Sequence, residues 1–478
     1  MRRLKRLALL LTLLGPLTAM ASAAMAPAAM AQGRTEVRIA ENVYVVPDKN
    51  AEAITGWLIV KAGCADEAYG DCRGLAHYLE HLLLVGRRPD HTTSSFSLFP
   101  EGVANGWTSH RTTTYFQRFP VKGAEDAERV DKLLAYFMRL VAELKIADDA
   151  ADRERNVVLQ EYNVNTGRNP FARFSIELEK SLLPDEALGQ RVIGSPSTIK
   201  GFTVAAAADF HRHWYTKGNI AIVLHGPIDP AVIRPIAERH LASLPDRPNP
   251  PARYALISRP YPHAITKLRH SDPEAKQTGV YVYRVTGFAE IDRRQVAAAR
   301  RIVNAFLASK LPGSPNDLLI EKQGLALTIG IGSTKVRDGV SRLSISGQPV
   351  AGIAPDKLAE AALAYVEGLA GSGLSAEIIE RLKTRLAVGQ DLVDKQPAEL
   401  AGSLVGWLSN HLSYDDWLWR RTALEQVTPQ SVQLVLQTHA ARGRTVVGII
   451  TPPSAAATPT ATPGPSAPAA PAPTKAKP

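Results

Sequence analysis

The chain has almost no cysteine: its 478 residues hold two, Cys64 and Cys72. It has no Asn-X-Ser/Thr sequon, so nothing points to a glycosylated eukaryotic secretion route. After its first turns it has no apolar run near the roughly 20 residues that a membrane-spanning helix needs, so no stable membrane insertion is expected. It also has little excess charge. The formal +10 loses Arg2, Arg3, Lys5, Arg6, Lys475 and Lys477 with the two ends, leaving the body at about +4. Nucleic-acid binding uses much more clustered positive charge than that, which argues against a nucleic-acid partner.

What is there begins at the termini. "MRRLKR" is basic, "LALLLTLL" is apolar, and small residues follow in "ASA" and "AMAQ". This order reads as a secretory signal peptide over 1–31, and export to a bacterial periplasm follows. An oxidising compartment makes a Cys64–Cys72 disulfide the default for the only two thiols. The other end, 452–478, is Pro, Ala and Thr with almost nothing to bury, and reads as a disordered tail.

The length suggests two or three domains, and the middle of the chain repeats itself. "VAAAADFHRHWYTKGNIAIVLHGPID" and "SVQLVLQTHAARGRTVVGIITP" each read as an amphipathic helix, a basic-Gly break and a short strand ending at proline. "AITGWLIVKAG" and "KQTGVYVYRVTG" both read as half-buried strands followed by a helical stretch. Between the copies, "LPDRPNPPARYALISRPYP" favours an extended linker. The expected division is an N-terminal domain over 32–247, a linker over 248–262 and a C-terminal domain over 263–451. Strands mixed with long helices in each half predict an α+β fold of two tandem, homologous, mainly antiparallel sheets packed with helices.

The chemistry sits in "CRGLAHYLEHLLLVG", where His77, Glu80 and His81 fall within about a 100° arc of one helix. Imidazoles at i and i+4 can chelate one metal ion, and a catalytic zinc takes three protein ligands and keeps one position for water. Glu80 is wanted as general base on that water, so a third ligand must come from elsewhere. In "ADRERNVVLQEYNVNTG", Glu154 and Glu161 are seven apart and share a helix face. One of them can ligate while the other orients a ligand. A structural zinc on Cys64, Cys72, His77 and His81 is the competing arrangement, but its spacings miss the usual pattern and leave Glu80 without a role. His211 and His213 have metal-like spacing but read as a solvated helix face. His110 lies where it can touch a peptide, and His91 reads as loop.

These residues resemble the pitrilysin/insulinase type of inverzincin zinc metallopeptidase, peptidase family M16, in its single-zinc, two-domain, short-chain form, similar to bacterial proteins of the mitochondrial processing peptidase kind. The likeness runs through "GLAHYLEHLLLVG", "ANGWTSHRTTTYF", "ERNVVLQE" and "DFHRHWYTKGNIAIVLHGPID" and covers about 40 to 450. It implies one Zn2+ per chain held by His77, His81 and Glu161, with Glu80 as general base and Glu154 as supporting carboxylate. It implies two homologous halves enclosing a chamber, the first bearing zinc and the second without a metal site. It also makes "GVANGWTSHRTTTYF" an edge strand on which a peptide substrate adds, with Asn105 and Trp107 as contacts.

One stretch departs from the family pattern. Where single-zinc relatives carry an Arg and a Tyr that hold substrate near the zinc, "LIEKQGLALTIG" has Gln323 and Leu327. A neutral amide lacks the guanidinium's charge and planar fork, and leucine has no hydroxyl. The expected function is therefore a zinc metalloendopeptidase acting on peptides or small unfolded polypeptides, as the zinc-bearing subunit of a heterodimer whose homologous partner supplies the missing pair. The alternative is a non-catalytic peptide-binding or scaffold member of the same fold.

Overall fold

The computed structural model describes residues 37–453 except 68–70, 85–96, 147–148, 185–186, 249, 251–260, 288–292, 338–339 and 421. The signal-peptide reading, most of the linker, His91 and nearly all of the Pro/Ala-rich tail lie outside the described residues.

Among those residues, the first half contributes β1 (Arg38–Ala40), β2 (Val43–Pro47), β3 (Ala53–Val60), β4 (Val103–Thr108), β5 (Thr113–Pro120) and β6 (Ile220–Gly226). The second contributes β7 (Ala264–Ser271), β8 (Gly279–Gly287), β9 (Ala326–Arg337), β10 (Val340–Pro349) and β11 (Arg444–Thr451). They form two sheets, ordered β1-β2-β6-β3-β5-β4 and β7-β11-β8-β10-β9. The orders superimpose once β1 is set aside. In each sheet one pair is parallel, β2 with β6 and β7 with β11, and the other pairs are antiparallel. The expected α+β repeat is present, each half a mainly antiparallel sheet with helices against it.

The strands follow their sequences. β6, "IAIVLHG", is buried at every position because it lies inside its sheet. β4, "VANGWT", alternates exposed and half-buried positions because it is an open edge. Its register runs from Val103 opposite Arg118 to Thr108 opposite Thr113.

The helices of the first half are α1 (Leu75–Leu84), α2 (Asp126–Ala142), α3 (Ala150–Tyr162), α4 (Pro170–Leu182), α5 (Pro196–Lys200), α6 (Val204–Trp214) and α7 (Pro230–Ala242). Those of the second are α8 (Arg293–Leu307), α9 (Pro355–Ser372), α10 (Ala376–Lys395), α11 (Pro397–Ser409), α12 (Tyr414–Trp419) and α13 (Pro429–Ala440). Several open on a capping side chain followed by proline, as at Asn169-Pro170, Ser195-Pro196, Asp229-Pro230 and Thr428-Pro429. The cap satisfies a free N–H and the proline brings a pre-set φ.

The halves exchange helices. α4 belongs to the first half, yet Phe174, Leu178 and Leu182 pack on Val285, Val446 and Ile450 of the second sheet. A Cβ on Gly448 would come within 2.3 Å of Leu178 and 2.9 Å of Phe174, so glycine lets α4 sit close on β11. In return α11 of the second half lays Ala401, Leu404, Val405 and Leu408 on Tyr44, Val46, Ile59 and Val223 of the first sheet. Arg173 fastens α4 to Asp272 at 2.6 Å. The described halves therefore pack within one compact unit. No helix among the described residues is long and apolar enough to cross a membrane.

Candidate metal centre

α1 is anchored before it begins. Cys64 and Cys72 are disulfide-bonded, so neither thiolate is available to a metal. Inside the loop they close, the buried Glu67 carboxylate accepts the backbone N–H of Arg73 at 2.7 Å and of Ala76 at 2.9 Å. These are among the donors that a helix start leaves unpaired. Burial pushes Glu67 up to about 8, against the pull of the N–H groups of Ala76, Arg73, Gly74 and Leu75. Gly74, at φ +98°, makes the turn into α1; a Cβ there would strike the Ile193 carbonyl at 2.4 Å.

Along α1 the apolar residues Tyr78, Leu79, Leu82 and Leu83 fill the core. Tyr78 donates to the Ala151 carbonyl at 2.8 Å and stacks on Phe202 at 5.0 Å, docking α1 against α3. That contact brings the two carboxylates of α3 to the imidazoles of α1. Nε2 of His77 and Nε2 of His81 each stand 3.5 Å from Oε2 of Glu161. One ligand atom from each of the three residues lies within 4.8 Å of the others. Two ligands about 2.1 Å from a tetrahedral zinc stand about 3.4 Å apart, so the spacing suits such an ion. Glu154, 2% exposed, puts Oε2 at 3.4 Å from Nδ1 of His81, on the side of the ring away from Glu161. Histidine ligands commonly have such a carboxylate behind them.

The charges suit metal capture. Burial, and then neighbouring His81, push His77 down to about 4, leaving it neutral. Burial alone would lower His81, but its hydrogen bonds to Glu154 and Glu161 outweigh it and hold the ring at about 9. The hydrogen bond to His81 holds Glu161 below the usual carboxylate range. A cation arriving here would replace the His81 proton. Glu80, 4% exposed, is pushed up to about 7 by burial, which the Thr108 hydroxyl and His81 oppose.

Asn105 is exposed and accepts its neighbour's N–H at Gly106. Trp107 is 41% exposed, with its ring 6.2 Å from that of Phe116. Gly106 and Thr108 are the β4 residues that touch Glu80, so Asn105 and Trp107 lie on the opposite face of the strand. His110 is turned to the Gln190 carbonyl, 2.8 Å away. The solvated-face expectation fails for His211, which is 3% exposed and meets the Leu140 carbonyl at 2.8 Å because α6 turns that side against α2. His213 on the same helix is exposed beside Asp209.

Sequence reasoning missed Glu67, Gly106, Thr108 and Asn165. Asn165 donates to Oε1 of Glu161 at 3.3 Å from the wide turn Asn163–Gly167 that ends α3. Such π-type turns often accompany functional sites. Gln323 is exposed and Leu327 is 55% exposed, at the start of edge strand β9.

Two family descriptions match the chain: "Insulinase (Peptidase family M16)" over 43–187 and "Peptidase M16 inactive domain" over 201–386. A zinc protease of Rickettsia bellii is 29% identical over 203 residues, 42% of this chain and 47% of that protein. The chain thus spans about half the length of that relative. Zinc protease PqqE of Helicobacter pylori is 22% identical over 366 residues, 75% of this chain and 78% of that one. Among solved structures, a protease from Helicobacter pylori superimposes with a TM-score of 0.71 at 19% identity, covering 86% of this chain and 97% of the other. The periplasmic protease PqqL from Escherichia coli gives 0.68 at 18% identity, covering 87% of this chain and 47% of that one.

Proposed function

The chain belongs to peptidase family M16, and on that premise we propose that it is a zinc-dependent endopeptidase for peptides or small unfolded polypeptides. The observation that carries this reading is the convergence of His77, His81 and Glu161 within 4.8 Å, with Glu80 on the same helix. His77 and His81 would hold zinc through Nε2 and Glu161 through a carboxylate oxygen. The chemistry that zinc supplies when bound in such a site is Lewis acidity, which brings the pKa of water toward about 7 and polarises a carbonyl.

The chain's own residues do the rest. Glu80 takes the proton of the attacking water and returns it to the leaving amine. Glu154 fixes the orientation of His81, and Asn165 that of Glu161. β4, open along one side, takes the substrate as an added strand, a mode in which backbone pairing tolerates many sequences. The N-terminal 31 residues direct export to the periplasm. A homologous partner chain supplies the cation and hydroxyl that Gln323 and Leu327 lack.

The experiment is expression with and without candidate homologous chains, measuring bound zinc and cleavage of quenched peptides. Glu80→Gln is expected to retain zinc and lose about 10²–10⁴ in kcat; unchanged turnover would remove Glu80 from the mechanism. Full peptidase activity of the isolated monomer would count against the partner. A non-catalytic, peptide-binding role is favoured by the side chains at 323 and 327, and it predicts peptide binding without cleavage in every combination.

A further inference from the structure

Glu80 hangs from α1 on three rotatable bonds, yet a general base must stand within hydrogen-bond reach of the proton it takes. Both restraints on it come from β4. Thr108 donates its hydroxyl to Oε2 at 2.6 Å. Gly106, two residues earlier and on the same strand face, leaves the other oxygen its room: a Cβ there would stand 2.8 Å from Oε1 and 3.1 Å from Cγ. Leu84, one helical turn beyond Glu80, closes the same spot, 3.0 Å from that Cβ position. Oε1 has no hydrogen-bond partner among the described residues.

We propose that Thr108 is a positioning residue for Glu80: its hydroxyl pins one carboxylate oxygen, so that the other, lying over Gly106, faces the water to be deprotonated. The inference rests on Glu80 being the general base. It adds that the strand open to a peptide is also the strand that seats the base, so substrate docking and base placement share one element. Displacing a reacting group by about 1 Å can cost about 10²-fold in rate, which sets the scale of the effect.

The test uses the full chain loaded with zinc, together with its partner where one is needed for turnover. Thr108→Val keeps the side-chain shape and removes the donor; Thr108→Ser keeps the donor. The valine variant is expected to lose about 10- to 100-fold in kcat with KM and zinc content within about twofold of wild type. The serine variant is expected to recover to within about threefold, and Gly106→Ala to fall at least as far as valine. An unchanged kcat in Thr108→Val overturns the proposal, as does an equal loss in valine and serine. Glu80→Gln measured alongside separates the two readings. If it keeps turnover, the general base is misassigned; if it is inactive while Thr108→Val is fully active, Thr108 alone is wrong. A crystal structure of Thr108→Val decides independently of activity: the Glu80 carboxylate is expected to rotate, and one that stays with Oε1 over Gly106 refutes the role.

Discussion

Helix α1 and helix α8 hold the same place in the two halves, one between β3 and β4, the other between β8 and β9. Aligned on the fully buried pairs Tyr78-Leu79 and Ile302-Val303, they set His77 against Arg301, Glu80 against Asn304 and His81 against Ala305. Asn304 reaches its edge strand as Glu80 does. Its Nδ2 donates to the Ser333 carbonyl and its Oδ1 accepts the Ser333 N–H, both at 2.9 Å. The amide uses both ends on backbone, whereas the carboxylate of Glu80 is held by one oxygen only. Burial of histidine differs in the same way. The first half sets carboxylates against His77 and His81, while His439 in the second is pushed down to about 3 by burial and by the charge of Arg300. The apolar frame is shared, and the polar positions differ: among the described residues, the cluster of imidazoles and carboxylate lies in the first half.

The contrast breaks most completely if its key ligand is removed. Glu161→Gln should lower zinc affinity by more than the 10- to 100-fold expected for the supporting Glu154→Gln, read by competition with a chelator. Equal effects would mean that Glu161 is no ligand. A sharper form asks whether the second half can be re-equipped. Gln323→Arg with Leu327→Tyr should raise peptide turnover of the isolated chain by about tenfold or more, since one oxyanion donor can be worth about 10²–10³. No gain would show that these side chains do not reach the substrate. The smallest effect concerns His439. Its folded pKa lies below its unfolded value, so between about pH 6.5 and 3 the unfolded chain binds the extra proton and stability falls as pH falls. His439→Leu should remove up to about 1.4 kcal/mol per pH unit of that slope in urea titrations of the metal-free protein.

How much of this was legible in the sequence follows from distance along the chain. His77, Glu80 and His81 could be read because their geometry is set by one turn of helix. The repeat of the halves could be read because β3 and β8, and the pairs α6-β6 and α13-β11, carry their own periodicity. The choice between Glu154 and Glu161 could not be made from spacing, because both share a helix face. In the structure, Oε2 of Glu161 meets Nε2 of both histidines, whereas Glu154 meets only Nδ1 of His81. Glu67, Gly106 and Thr108 were silent for the same reason, since each acts on α1 from another element. His211 was misread because its burial depends on α2, a partner its own helix does not reveal.

The swapped helices α4 and α11 bear on how this molecule is made and lost. Severing the chain between its halves would leave each fragment with a greasy sheet face that only the other can cover. The first sheet therefore gains this cover only when α11, which lies far along the chain, is in place. Unfolding should run the same way in reverse, with neither half surviving the loss of its counterpart.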